Sequence, residues 1–170
     1  MGVDELVLVS LGSNIDPVTN LPLATRQLTG LVRVEKASVV FESDPVNAPG
    51  TPRFCNAALA IRTDLEPRDL KLEVLRPIEA ALGRVRSEDR NRPRPIDLDI
   101  ALFGSRVVED PAGGLEIPDP GILHYAHVIL PLAHIAPDIR HPVTGETLQQ
   151  IALRFGNAAG LRVRGDIRLL

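Results

Sequence analysis

The chain has 170 residues, 44% of them hydrophobic and 24% charged, which is enough apolar content for one globular domain, residues 1–170, with a substantial core. A formal net charge of -3 gives no general pull toward nucleic acid or an acidic membrane, and 3% aromatic residues with no Trp leave little for base stacking. The lone cysteine, Cys55, excludes an intramolecular disulfide framework and a cysteine zinc site, which fits a reducing compartment.

The opening stretch MGVDELVLVSLGSN has no basic segment ahead of a long apolar one, and no apolar run in the chain approaches about 18 residues. A soluble, cytoplasmic protein is expected. Within that stretch Glu5 to Ser13 reads as a buried strand closing on Gly12. Leu21, Leu23, Ala24, Leu28 and Leu31 then recur at helical spacing, with Pro22 expected in the first turn. Val32 to Ser43 has the β-branched content of one strand, and DPVNAPGTPR after it is a loop. FCNAALAIRTD reads as a strand, and LEPRDLKLEVLRPIEAALGR as a helix starting near Pro67 and kinked by Pro77.

Next comes RPRPIDLDIALFG, a strand carrying two aspartates. Beyond Gly104, VVED and LEI read as short strands around PAGG, HVILPLAHIAP as a short helix or buried segment, and GETLQQIALRF as a final helix. The order β-α-β-β-α-β from Glu5 to Gly104 predicts an α+β fold, a ferredoxin-like antiparallel sheet with helices packed on it and C-terminal additions.

Strand side chains alternate, so Ile96, Leu98 and Ile100 face one way and Asp97 and Asp99 the other. Two carboxylates roughly 7 Å apart on one face repel unless a cation or water lies between them. Without Cys or paired His beside them, such oxygens favour magnesium over zinc. D-x-D alone is a weak motif, and a half-exposed strand with solvated aspartates is its bland reading. Arg90, Arg92 and Arg94 just upstream change the balance, because guanidinium groups grip phosphate oxygens in pairs and Pro93 and Pro95 keep the segment out of a helix.

In order and spacing, LVSLGSNIDP, FCNAALAI, IEAALGRVR, RPIDLDIALFG and VILPLAHIAP resemble the 6-hydroxymethyl-7,8-dihydropterin pyrophosphokinases of folate biosynthesis. That resemblance implies transfer of pyrophosphate from the co-substrate ATP to the pterin hydroxymethyl oxygen, with release of AMP. It also implies two magnesium ions held by Asp97 and Asp99, with small molecules as the partners of a monomer. Arg84, Arg86 and Arg94 match the arginines that close over the phosphates, and Glu79 matches an acid at the nucleotide site; in their bland readings Arg84 and Arg86 are solvated helix-end cations and Glu79 an exposed helical charge. Asn56 matches the amide that hydrogen-bonds the pterin, Phe54 the aromatic stacked on it, and Ser43, Asp44 and Val46 the pterin-contacting loop. Gly12, Ser13 and Asn14 match a signature read as structural.

The segment PDPGILHYAH departs from the family pattern. Asp119 stands for the nucleotide-binding histidine, Tyr125 for a phosphate-contacting arginine and His127 for the second pterin-stacking aromatic, while Asn91 stands for the mid-loop aromatic. These changes leave two further readings beside the working enzyme: a pterin- or nucleotide-binding protein without turnover, and the same chemistry on a modified pterin.

Overall fold

A computed structural model describes residues 2–44, 49–89, 92–157 and 160–170. Strand β1 (Glu5–Ser13) lies inside the main sheet, antiparallel to both β4 (Phe54–Thr63) and β5 (Asp97–Phe103). β2 (Arg33–Ala37) and β3 (Phe41–Ser43) share the other edge of β4, and β8 (Arg162–Val163) pairs with β3. Ion pairs from Arg162 and Arg164 to Glu42 fasten this last strand.

The single strand expected over 32–43 is two. Ser38 Oγ accepts the Ala58 N–H while Ser38 N–H donates to Ala58 O. A side chain thereby replaces a main-chain acceptor, the ladder breaks, and Val40 turns into the core.

Val7, Val9 and Leu11 of β1, with Leu98 and Ile100 of β5, bury one face against α1 (Pro17–Thr29) and the helical stretch after β4. α1 starts at Pro17, so Pro22 lies inside the helix and not in its first turn. The second stretch is broken into α2 (Pro67–Asp69), a π-helical segment Leu70–Leu75, and α3 (Arg76–Ala81). Arg76 N–H reaches back to Lys71 O, a wide turn that accommodates Pro77, which has no N–H to give.

After β5 come the hairpin β6 (Val108–Asp110) and β7 (Leu115–Ile117), as expected, then α4 (Gly121–His124), α5 (Ala126–Ile135) and α6 (Leu148–Leu153). Thr147 caps α6 through a reciprocal capping box with Gln150. α5 and α6 cover part of the second sheet face, over Leu8, Ala58, Ala60 and Leu102. Among the described residues no helix is long and apolar enough to cross a membrane.

Candidate active site

Register builds the site. Gly12 of β1 lies between Asn56 of β4 and Asp97 of β5, and Ser10 lies between Ala58 and Asp99. Directly opposed residues share a face, so Asp97, Gly12 and Asn56 form one row across the sheet, and Asp99, Ser10 and Ala58 the next. Both rows lie on the second face. Gly12 keeps the middle of its row low: a Cβ there would lie 3.4 Å from Asn56 Oδ1 and 3.9 Å from the Phe54 ring. Two strand spacings, about 10 Å, thus separate the Asp97 and Asn56 backbones over a floor with no side chain.

At the Asn56 end, Nδ2 donates to Ser43 Oγ at 2.8 Å, and both residues are buried. This fixes the amide orientation. Phe54 is half-buried, with the Arg94 guanidinium 6.0 Å from its ring centre. Asp44 is exposed and paired with Arg53 at 3.1 Å. Val46 lies outside the described residues.

At the other end, Asp97 accepts from Arg84 through Oδ1 and from Arg94 through Oδ2, the latter at 3.0 Å. Arg94 is itself held by its backbone: Asn14 Oδ1 accepts the Arg94 N–H at 2.7 Å, and Asn14 and Ile15 N–H donate to Arg94 O. The residue read from sequence as part of a structural signature therefore aims an arginine. Arg84, Arg86, Arg92 and Arg94 line one cleft of about 270 Å³ beside Asp97, a concentration of positive charge suited to phosphate. A larger cavity, about 570 Å³, lies between α5, α6 and Phe41, but its lining is mainly apolar and includes none of these arginines.

β5 is an edge strand, and its free main-chain groups are capped by the adjoining helix. Glu79 Oε1 accepts the Leu98 N–H at 2.8 Å, Lys71 Nζ donates to Leu98 O at 3.2 Å, and Arg84 donates to Ile96 O. Glu79 is 2% exposed and pairs with Arg84 and Arg86, which rules out the solvated helical charge. Burial raises its carboxyl above the ordinary range, against the pull of Leu98 N–H and Arg84. Burial also works against the Arg84 charge, but Asp97 and Glu79 outweigh it and hold the guanidinium protonated.

Lys71 also pairs with Asp99 Oδ1 at 2.8 Å. The Asp99 side chain is 46% exposed, so its carboxyl is crowded by protein yet open to water. That crowding, followed by the Asp97 charge, raises it against the pull of Lys71. Lys71 escapes notice in the sequence because lysine normally marks a solvated helix face. Its place among the buried Leu70, Val74, Leu75 and Ile78 is the available signal.

Among the described residues no three His, Cys, Asp or Glu side chains converge as a closed metal site. The donor chemistry still fits magnesium, with two hard carboxylates on one face and Ser10 Oγ, buried and without a hydrogen-bond partner among the described residues, on the residue opposite Asp99. Magnesium commonly completes such a shell with water and substrate phosphates.

The divergent segment lies at the start of the helices on this face. Asp119 N–H donates to Ala101 O of β5, and Asp119 Oδ1 accepts the Gly121 N–H at 2.7 Å. Burial, with Asp99 and Asp97 adding to it, pushes the Asp119 carboxyl up to about 6 despite that Gly121 bond. Tyr125, 43% exposed, stacks on His127 with ring centres 5.3 Å apart and planes 24° off parallel. Burial lowers the His127 pKa and favours its neutral form.

The family model of 7,8-dihydro-6-hydroxymethylpterin-pyrophosphokinase (HPPK) matches residues 8–137, and the chain belongs to that family. A Pseudomonas aeruginosa 2-amino-4-hydroxy-6-hydroxymethyldihydropteridine pyrophosphokinase is 40% identical over 141 residues, covering 81% of this chain and 85% of that protein. The Pneumocystis carinii folic acid synthesis protein fol1 is 38% identical over 144 residues, 84% of this chain; the match spans only 19% of that relative's length. Among solved structures, wild-type Plasmodium falciparum HPPK-DHPS shares the fold with a TM-score of 0.70 at 14% identity, over 90% of this chain and 41% of its own.

Proposed function

We propose that the chain works as one unit that transfers pyrophosphate from ATP to the hydroxymethyl oxygen of 6-hydroxymethyl-7,8-dihydropterin. The pterin hydroxyl oxygen attacks the β-phosphorus and releases its proton to water, the bond from that phosphorus to the AMP oxygen breaks, and AMP leaves with that oxygen. The observation that carries this reading is the row Asp97, Gly12, Asn56, which puts a carboxylate under arginines at one end and an oriented amide at the other.

In this reading Asn56, fixed by Ser43, presents donor and acceptor to the pterin edge, and Phe54 covers a ring face. Asp44 and Val46 belong to the loop beside them, and His127 covers the other ring face. Arg94 and Arg84 bind phosphate oxygens where charge builds in the transition state, Arg86 and Glu79 border the nucleotide, and Asp119 and Tyr125 contact it. Asp97 and Asp99 would hold two magnesium ions, which supply charge neutralisation for the triphosphate. The protein acts as a cytoplasmic monomer on small molecules.

The test is AMP release from ATP and magnesium with and without the pterin, for the wild type and Asp97→Ala. Pterin-dependent AMP from the wild type and none from the variant is expected. AMP release by Asp97→Ala at the wild-type rate, with the same magnesium requirement, removes Asp97 from the reaction.

A further inference from the structure

The two aspartates differ in their partners. Asp97 meets two guanidinium groups that approach from the cleft, whereas Asp99 meets an ammonium that comes from beneath the sheet edge. Lys71 is 6% exposed and grows from the π-helical segment between the buried Leu70 and Val74. Its stem is fixed by core packing, and its Nζ is shared between Leu98 O at 3.2 Å and Asp99 Oδ1 at 2.8 Å. A buried ammonium is costly unless paired, so the fold keeps this charge against Asp99. The wide turn that accommodates Pro77 runs from Lys71 O to Arg76 N–H and so begins at the lysine itself, and π-type turns are frequent at functional sites.

We infer that Lys71 is a positioning residue and a tethered competitor at Asp99: its ammonium occupies one carboxylate oxygen in the cation-free protein and lowers the site's affinity for a free divalent ion. This rests on reading Asp97 and Asp99 as metal ligands. Arg84 divides its charge between Asp97 and Glu79, whereas Lys71 directs its ammonium to one carboxylate, that of Asp99. A free divalent cation approaching Asp99 meets the Lys71 ammonium at 2.8 Å from Oδ1 and is opposed by it, whereas a cation arriving with the nucleotide's phosphates brings its own compensating charge. Lys71 therefore makes cation entry depend on the nucleotide, and it does so from a buried position.

The test is manganese binding without nucleotide, followed by calorimetry or by the loss of free-ion paramagnetic signal, in the wild type, Lys71→Met, Lys71→Arg and Asp99→Asn. Lys71→Met keeps the stem and removes the charge, and it should bind manganese roughly tenfold tighter or more, as removal of a like charge beside a cation requires. Lys71→Arg should stay within about twofold of the wild type because it keeps that charge. A folded Lys71→Met with unchanged or weaker manganese affinity overturns the inference and leaves Lys71 an edge cap only. Asp99→Asn should lose most binding; if it binds as the wild type does, the metal-ligand reading falls and this inference with it.

If Lys71→Met does not fold, the wild type still decides. Lys36 and Lys71 are the two lysines of the chain, so their ammonium signals are separable in a nitrogen-edited proton spectrum. Saturating magnesium should shift the Lys71 signal and leave that of Lys36, which lies near Ile135 O, in place. A Lys71 signal that stays fixed at saturation overturns the inference.

Discussion

Asp119→Asn should stabilise the protein near neutral pH, and the gain should shrink in acid. The wild-type carboxyl is raised from its ordinary 3.8 to about 6 by burial first, with Asp99, Asp97 and Glu116 adding repulsion. Between those values the folded state binds more protons than the unfolded state, so stability falls as pH rises through this window. A displacement of about two pKa units corresponds to about 3 kcal/mol at full ionisation, an upper figure because the carboxyl still meets some water. Asparagine keeps the acceptor for Gly121 N–H and cannot ionise. Urea unfolding of both proteins in EDTA, at about pH 5 and about pH 7.5, measures the effect. The expected gain at the higher pH is about 1–3 kcal/mol, falling to about half at the lower. An equal difference at both values, or a destabilised variant near neutrality, refutes the burial argument.

Arg94→Ala should lower kcat/KM more than Arg86→Ala, since Arg94 pairs with Asp97 beside Phe54 while Arg86 is 54% exposed against Glu79. Steady-state kinetics of the two variants decide it, and equal small losses make both solvated charges. Asn14→Ala removes the acceptor for Arg94 N–H and should cost about 1–2 kcal/mol in unfolding experiments. Its loss of kcat/KM should be smaller than that of Arg94→Ala and should vanish in the double variant, because it acts through Arg94. Additive losses would separate Asn14 from that arginine.

Periodicity and composition by themselves determined most of the elements: the strand pattern of β1 and β4, the hairpin around PAGG, and the split of Asp97 and Asp99 from Ile96, Leu98 and Ile100. Such patterns are local, and burial of one face enforces them residue by residue. The pairing partners were not legible. Val32 to Ser43 reads as one strand because Ser38 takes the place of a main-chain acceptor only once Ala58 lies opposite it. Gly12 becomes the floor between Asp97 and Asn56 only when β1 is registered against β4 and β5 together. Glu79, Lys71 and Asn14 were decided by tertiary structure for the same reason. Each meets a main-chain group distant in sequence, at Leu98 or Arg94, and a charged or amide side chain shows its partner only when the fold brings that group within hydrogen-bond reach.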